Sequence, residues 1–320
     1  MGCFEARRTT SFSGYPMSSA TLRRGYLLGL AAYSLWGLFP IYFKMLASVP
    51  AMEVILHRVL WSAFFGGVLL LVWKHPGWWR ELLAHPRRIA VLALTGALVA
   101  VNWLVYIWAV NEGRMLEASL GYYINPLINV LLGLLVLGER LRRLQWIAVA
   151  IAAAGVLQQL IMLGSVPWIS LALAFSFGTY GLIRKKAPVA ALPGLVVETW
   201  LLVPAVLLWL TLHPESSSRH LDYWLSSEAM LLILSGPITL IPLLCFNAAA
   251  RYLPYATLGF LQYIAPTLVL LLAVFVYGEP FDSSRLVSFV CIWIGLAVYT
   301  VDAIRTLKHS ARPRAAAPSA

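Results

Sequence analysis

Acidic residues are scarce in this chain: 13 Asp and Glu stand against 24 Lys and Arg in 320 residues. Charged residues of both signs make up only 12%, against about 25% in a soluble globular chain, too few to clothe the surface of a soluble fold. The opposite extreme, intrinsic disorder, requires low hydrophobicity and is excluded by an apolar content of 61%. Three cysteines, Cys3, Cys245 and Cys291, exclude a disulfide scaffold. Equally missing are H-E-x-x-H, G-x-S-x-G and G-x-x-x-x-G-K-[ST], the patterns that would mark a zinc hydrolase, a serine hydrolase or a nucleotide-driven machine. The His residues are scattered and the three Asp residues lie near loops or ends, so neither a metal site nor a cofactor is expected.

What is present is long uncharged sequence. Residues 89–111, 118–138 and 252–278 form runs of 23, 21 and 27 residues without a charge, and 144–183 is a run of 40. A bilayer core of about 30 Å needs roughly 20 apolar residues of helix. The 40-residue run fits two spans joined at Gly164-Ser165-Val166-Pro167. These runs predict an all-α polytopic membrane protein with ten spans, near 25–47, 54–73, 88–109, 115–137, 145–162, 167–184, 193–212, 229–249, 255–277 and 285–304. Continuous apolarity argues against a barrel, whose strands alternate. Trp73, Trp78, Trp79, Trp146 and Trp168 fall at span ends, where they suit interfacial anchoring.

Basic residues favour the cytoplasmic side. Nineteen fall on the flanks shared with the termini and three, Arg114, Arg219 and Arg285, on the alternate flanks; Lys44 and Arg58 lie within spans. This predicts both termini inside the cell and accounts for the net charge of +11 without nucleic acid. Residues 1–24 and 305–320 read as cytoplasmic tails, the first of them disordered. Myristoylation is not expected, because residue 6 is Ala, and Met17 offers an alternative start.

The fourth and ninth spans share a pattern. Pro126 and Pro266 are 140 residues apart, as are Gly138-Glu139 and Gly278-Glu279, and Gly155 and Gly295. Residues 25–162 and 163–304 therefore read as two units of five helices. Five is odd, so the second inserts upside down. Inverted repeats around a midplane site are frequent in secondary transporters.

The stretch Glu117-Ala118-Ser119-Leu120-Gly121-Tyr122-Tyr123-Ile124-Asn125-Pro126 with Leu137-Gly138-Glu139-Arg140 resembles the bacterial RarD-like proteins, in the EamA branch of the drug/metabolite transporter superfamily. So do Asn102-Trp103 with Trp108-Ala109-Val110-Asn111, Pro242-Leu243-Leu244-Cys245-Phe246, and Gln262-Tyr263-Ile264 with Pro266. The likeness runs from about Gly25 to Asp302. It implies a ten-helix permease of the bacterial inner (plasma) membrane built from two EamA repeats. Its substrates would be small metabolites or drugs. Gradient-driven alternating access is the expected mechanism; a passive small-molecule channel and, more remotely, an integral-membrane enzyme are the alternatives.

Polar side chains at membrane depth are costly and so are candidate functional groups. Asn102, Trp103 and Tyr106 in the third span, Tyr122 and Asn125 in the fourth, Asn247 in the eighth, Gln262 and Tyr263 in the ninth, and Trp36 in the first are the candidates for lining a substrate cavity. The competing role for the amides is interhelical hydrogen bonding. Pro126 and Pro266 are hinge candidates, since each frees a carbonyl one turn earlier. Lys44, Glu53, His57, Arg58 and Glu117 gather at the external ends of early spans, as an outer gate, as an attractor of an anionic substrate, or as rim ion pairs. Glu198 stands about one turn inside the seventh span with no partner nearby in sequence, a candidate for proton coupling or a carboxylate that snorkels to the cytoplasmic side.

Overall fold

The computed structural model describes residues 19–72, 77–112, 114–214, 216, 221–278 and 283–311. Residues 1–18, Glu279 and 312–320, on which the tail readings and half of the Gly-Glu repeat rest, lie outside the described residues. Among the described residues the regular structure is helical. The helices are α1 (Ser19–Gly37), α2 (Phe39–Met45), α3 (Ala51–Val72), α4 (Trp78–Leu83), α5 (Pro86–Asn111), α6 (Met115–Leu137) and α7 (Arg143–Leu163). They continue as α8 (Trp168–Lys186), α9 (Ala191–Leu212), α10 (Ser227–Tyr252), α11 (Tyr255–Gln262), α12 (Ile264–Leu271) and α13 (Ser283–Ala311).

Nine helical stretches among the described residues are long and apolar enough to cross a bilayer. Two of them are composite: α1 with α2 forms Ala20–Met45, and α11 with α12 and a π-helical turn at Leu272–Val276 forms Tyr255–Val276. The expected sixth span is helical as α8, yet it is not among the nine. Its last turn carries Arg184, Lys185 and Lys186, which dilute its apolar character.

Local chemistry sets the helix ends. Gly138 and Gly164 terminate α6 and α7 in the left-handed region, at φ of 65° and 67°, where a residue without Cβ is unstrained. Ser226 accepts a hydrogen bond from the Ala229 amide at 3.1 Å and opens α10, as an N-cap should. The end of α10 is closed by the Lys185 ammonium, which donates to the carbonyls of Ala250 and Leu253. The Glu139 carboxylate accepts from the amides of Tyr255 at 2.5 Å and Ala256 at 2.9 Å. It thus neutralises the positive end of α11.

Helices α7 and α13 pack chiefly against each other. A Cβ on Gly155 would stand 2.9 Å from the Ser288 carbonyl oxygen, and one on Gly295 would stand 2.9 Å from the Ala148 carbonyl oxygen. Close approach of this kind replaces hydrophobic drive in lipid, where dispersion packing holds helices together. The other helices pair as α6 with α8 and α11, α1 with α10 and α12, α3 with α9 and α10, and α5 with α8 and α9. Large apolar side chains such as Leu71, Leu135, Ile161, Leu207 and Phe275 remain exposed around the outside. In water such a surface would drive aggregation; facing lipid it is the ordinary exterior.

Candidate functional site

Two polar centres lie within the bundle, each about two turns from the start of a helix. The first is built on Arg58 of α3. Its Nε donates to Oγ1 of Thr239 on α10 at 2.9 Å. Its guanidinium sits over the Trp103 ring at 4.8 Å, with Phe43 and Phe39 at 5.6 and 5.9 Å. Tyr106 and Tyr122 stand close enough to interact electrostatically with it, and their rings meet edge-on with centroids 6.3 Å apart. Tyr122 is 49% exposed, and Arg58 and Tyr106 are half-buried, so the space beside them is a cleft open at Tyr122.

The second centre is closed. Glu198 of α9 faces Arg184 of α8, with Nε 3.3 Å from Oε1 and side-chain exposures of 4% and 1%. Thr95 of α5 donates to Glu198 Oε1 at 2.6 Å. Tyr180 donates to Oε2 at 3.5 Å and accepts from Nδ2 of Asn247 on α10 at 2.9 Å. Arg184 Nη2 also reaches the carbonyls of Ala190 and Ala191. The guanidinium fills the space beside Gly194, where any Cβ would collide with it. Beside this centre runs an aromatic wall: Trp36 has Tyr33, Phe177 and Phe246 at centroid distances of 5.5, 5.7 and 5.7 Å, and Phe177 continues to Tyr180.

The structure therefore brings Arg58, Trp103, Tyr106 and Tyr122 together and places Trp36 and Asn247 by the closed centre. The remaining amides sit in helix seams. Asn102 donates to the Leu173 carbonyl and to Ser176 Oγ, both at 2.9 Å, tying α5 to α8. Gln262 accepts from Asn129 at 2.9 Å, and Tyr263 donates to the Tyr123 carbonyl at 3.3 Å, both between α6 and the ninth span. Asn125 is buried nearby with its Oδ1 lacking a hydrogen-bond partner.

The residues expected at one rim are dispersed. Glu117 pairs with Arg114 at 2.6 Å, and Arg114 lies between Trp108 and Trp168. Lys44 lies 3.5 Å above the Tyr277 ring. His57 is buried against Trp224 at 5.5 Å. Among the described residues neither Lys44 nor Arg58 forms a salt bridge. Pro126 lies inside the unbroken α6. Pro266 follows the break at Tyr263 between α11 and α12.

Glu198 has no charged partner near it in sequence but has one in space: Arg184, read from sequence as part of a basic flank, is buried in α8 beside it. Thr95, Tyr180, Arg184 and Thr239 were missed as polar groups of these centres. One signal was available: Tyr180 and Arg184 are four apart and so share a helix face.

An all-helical bundle with a lipid-suited exterior and buried polar centres defines a multi-pass membrane protein. The model of the EamA-like transporter family matches twice, over residues 23–160 and 165–301. The chain belongs to that family. It is 63% identical over 297 residues to an uncharacterized transporter of Pseudomonas aeruginosa, covering 93% of this chain and all of the relative. It is 48% identical over 296 residues to the protein RarD of Escherichia coli, covering 92% and 100%. A chloramphenicol-sensitive protein RarD, also of Pseudomonas aeruginosa, is 36% identical over 298 residues, covering 90% and 97%. A protein of known crystal structure shares the fold at a TM-score of 0.67 and 21% identity, over 90% of this chain and 99% of that one. The protein is accordingly a membrane transporter of the drug/metabolite type, like relatives that are themselves named as transporters.

Proposed function

We propose that the protein is a secondary transporter of small metabolites or drugs that works by alternating access, with ten spans in two inverted five-helix units. Its place is the bacterial inner membrane, with both termini cytoplasmic. The observation that carries this reading is a pair of crossed hydrogen bonds: Thr95 to Glu198, and Arg58 to Thr239. Arg58 and Glu198 are 140 residues apart and both stand on the second helix of their units; Thr95 and Thr239 are 144 apart and both stand on the third. Each centre thus joins the second helix of one unit to the third helix of the other. In an inverted pair the two centres belong to opposite faces of the membrane. The reciprocal fit of Gly155 and Gly295 against Ser288 and Ala148 supports the same symmetry.

On this reading the sealed Arg184–Glu198 centre is a closed cytoplasmic gate, and the cleft around Arg58 is open to the outside. Transport requires the first to part as the second closes. A ligand drives the exchange only by binding the two states differently. The name of one relative makes chloramphenicol a reasonable first transport probe.

The test is single-cysteine labelling in a background lacking Cys3, Cys245 and Cys291. Tyr122→Cys is labelled from outside while Phe246→Cys is protected. Glu198→Gln, by weakening the gate, lowers the first and raises the second. Both sites labelled together from both sides would identify a passive pore and refute alternation.

A further inference from the structure

We propose that Arg58 is the anion-recognition group of the cleft, and that the transported substrate carries a single carboxylate on an aromatic or apolar body. This rests on the transport reading above and names its substrate class. Glu198 and Arg184 answer each other's charge within the second centre. Arg58 stands at the matching position and, among the described residues, has no carboxylate partner: its one hydrogen bond goes to the neutral Thr239, and it takes part in none of the ion pairs between them. A buried or half-buried cation at membrane depth without a counter-charge is expensive, unless a ligand supplies the anion.

The geometry is specific about which anion. Fixing Nε on Thr239 leaves the two Nη nitrogens as a free planar fork, and a fork of two parallel N–H donors matches a carboxylate bidentately. One cation answers one negative charge, which disfavours a phosphate dianion. The walls set the rest of the molecule. Trp103, Phe43 and Phe39 ring the guanidinium, and the half-exposed Tyr122 packs edge-on against Tyr106 beside it. Apolar and aromatic walls with few converging polar groups are the usual composition of a small-molecule site.

The test uses the purified full chain, with 3-phenylpropionate, its neutral amide 3-phenylpropionamide and phenyl phosphate as probes, read by saturable thermal stabilisation. The carboxylate stabilises the protein at millimolar concentrations and the amide does not. Arg58→Gln abolishes the effect. Arg58→Lys, which keeps the charge and loses the fork, weakens apparent affinity at least tenfold, and both variants keep the ligand-free melting profile of a folded protein.

A second readout does not depend on the probe. Tyr122→Cys, in the background free of the three native cysteines, reacts faster with a sulfonate-bearing thiosulfonate reagent than with its trimethylammonium counterpart. Arg58→Gln removes that preference. The proposal is overturned if amide and carboxylate stabilise equally, if no carboxylate effect saturates, if Arg58→Gln leaves it intact, or if phenyl phosphate binds at Arg58 in its place. It is also overturned if the reagent preference is absent or survives Arg58→Gln. Carboxylate binding at Arg58 without flux in proteoliposomes would support the anion site and fault the transport reading instead.

Discussion

The Arg184 guanidinium lies 3.3 Å from the Glu198 carboxylate, and both side chains are sealed from solvent. Their attraction offsets a large desolvation cost, so the pair is more sensitive to losing one member than to losing both. Removing one partner of a buried pair costs about 3–5 kcal/mol, whereas apolar replacement of both is often neutral. Glu198→Gln and Arg184→Gln are each expected to lower the melting temperature in detergent sharply. Arg184→Met combined with Glu198→Leu is expected to recover most of that loss while abolishing transport. Recovery of transport in the double variant would show the pair to be structural only.

The Glu139 cap gives a separable stability test. Its two oxygens hold the amides of Tyr255 and Ala256, which have no partners inside α11. Loss of a helix cap costs about 0.5–2 kcal/mol. Glu139→Ala should lower the melting temperature by the equivalent of that amount. Glu139→Gln should restore part of it, since an amide oxygen replaces only one acceptor and removes the charge that favours the helix N-terminus. Equal melting of the Ala and Gln variants would mean that a neutral acceptor adds nothing and that the cap depends on the charge.

Much of the fold was legible because lipid leaves little choice: an uncharged run of twenty residues has to become a helix. The turn at Gly164 and the end of α6 at Gly138 followed from residue types. The site was less legible. Arg184 sits beside Lys185 and Lys186, and nothing in a string of three cations says that the first turns inward. Asn102 and Gln262 were read as cavity candidates because an intramembrane amide is costly. The cost is met equally well by a partner on the next helix, Ser176 for one and Asn129 for the other, and sequence carries no record of which neighbour is in reach. Arg58 and Tyr122 lie far apart in the chain, so their shared cleft depends on how α3 and α6 pack.

Close backbone approach makes Gly259 another point of leverage. A Cβ there would stand 2.7 Å from the carbonyl oxygen of Pro126, and that oxygen belongs to a helix backbone that has no flexible end to move. Overpacking of this kind costs about 1–3 kcal/mol. Gly259→Ala should therefore push α11 from α6 and reduce both melting temperature and flux. Gly96→Ala, whose nearest contact is 3.3 Å, should be milder. The reverse order would mean that the α6/α11 seam is loose.

The membrane orientation is open to direct test. Cysteines at Ala47 and Ser165, both exposed between helices, should react with an impermeant thiol reagent added to whole cells. Cysteines at Ala84 and Arg143, also exposed, should react only after permeabilisation. A reversed pattern would invert the orientation, and a mixed one would break the ten-span count, most directly at α8.

The two prolines test whether symmetry does mechanical work. Pro126 and Pro266 are 140 residues apart, yet their helices differ: α6 continues through Pro126, whereas the ninth span breaks at Tyr263, just before Pro266. If the two units exchange shapes during transport, the broken helix and the unbroken one trade roles, and each proline lowers the cost of the broken form in its own unit. Replacing Pro126 by Ala should then favour the state seen here, with α6 intact, and replacing Pro266 by Ala should favour the opposite state. A bias of about 1.4 kcal/mol changes the ratio of two states tenfold. Labelling of Tyr122→Cys from outside should accordingly rise in Pro126→Ala and fall in Pro266→Ala, with turnover slowed in both because each stabilises one end of the cycle. Shifts of the same sign, or no shift in either variant, would reduce the prolines to fixed kinks and leave the exchange of the two gates without a hinge.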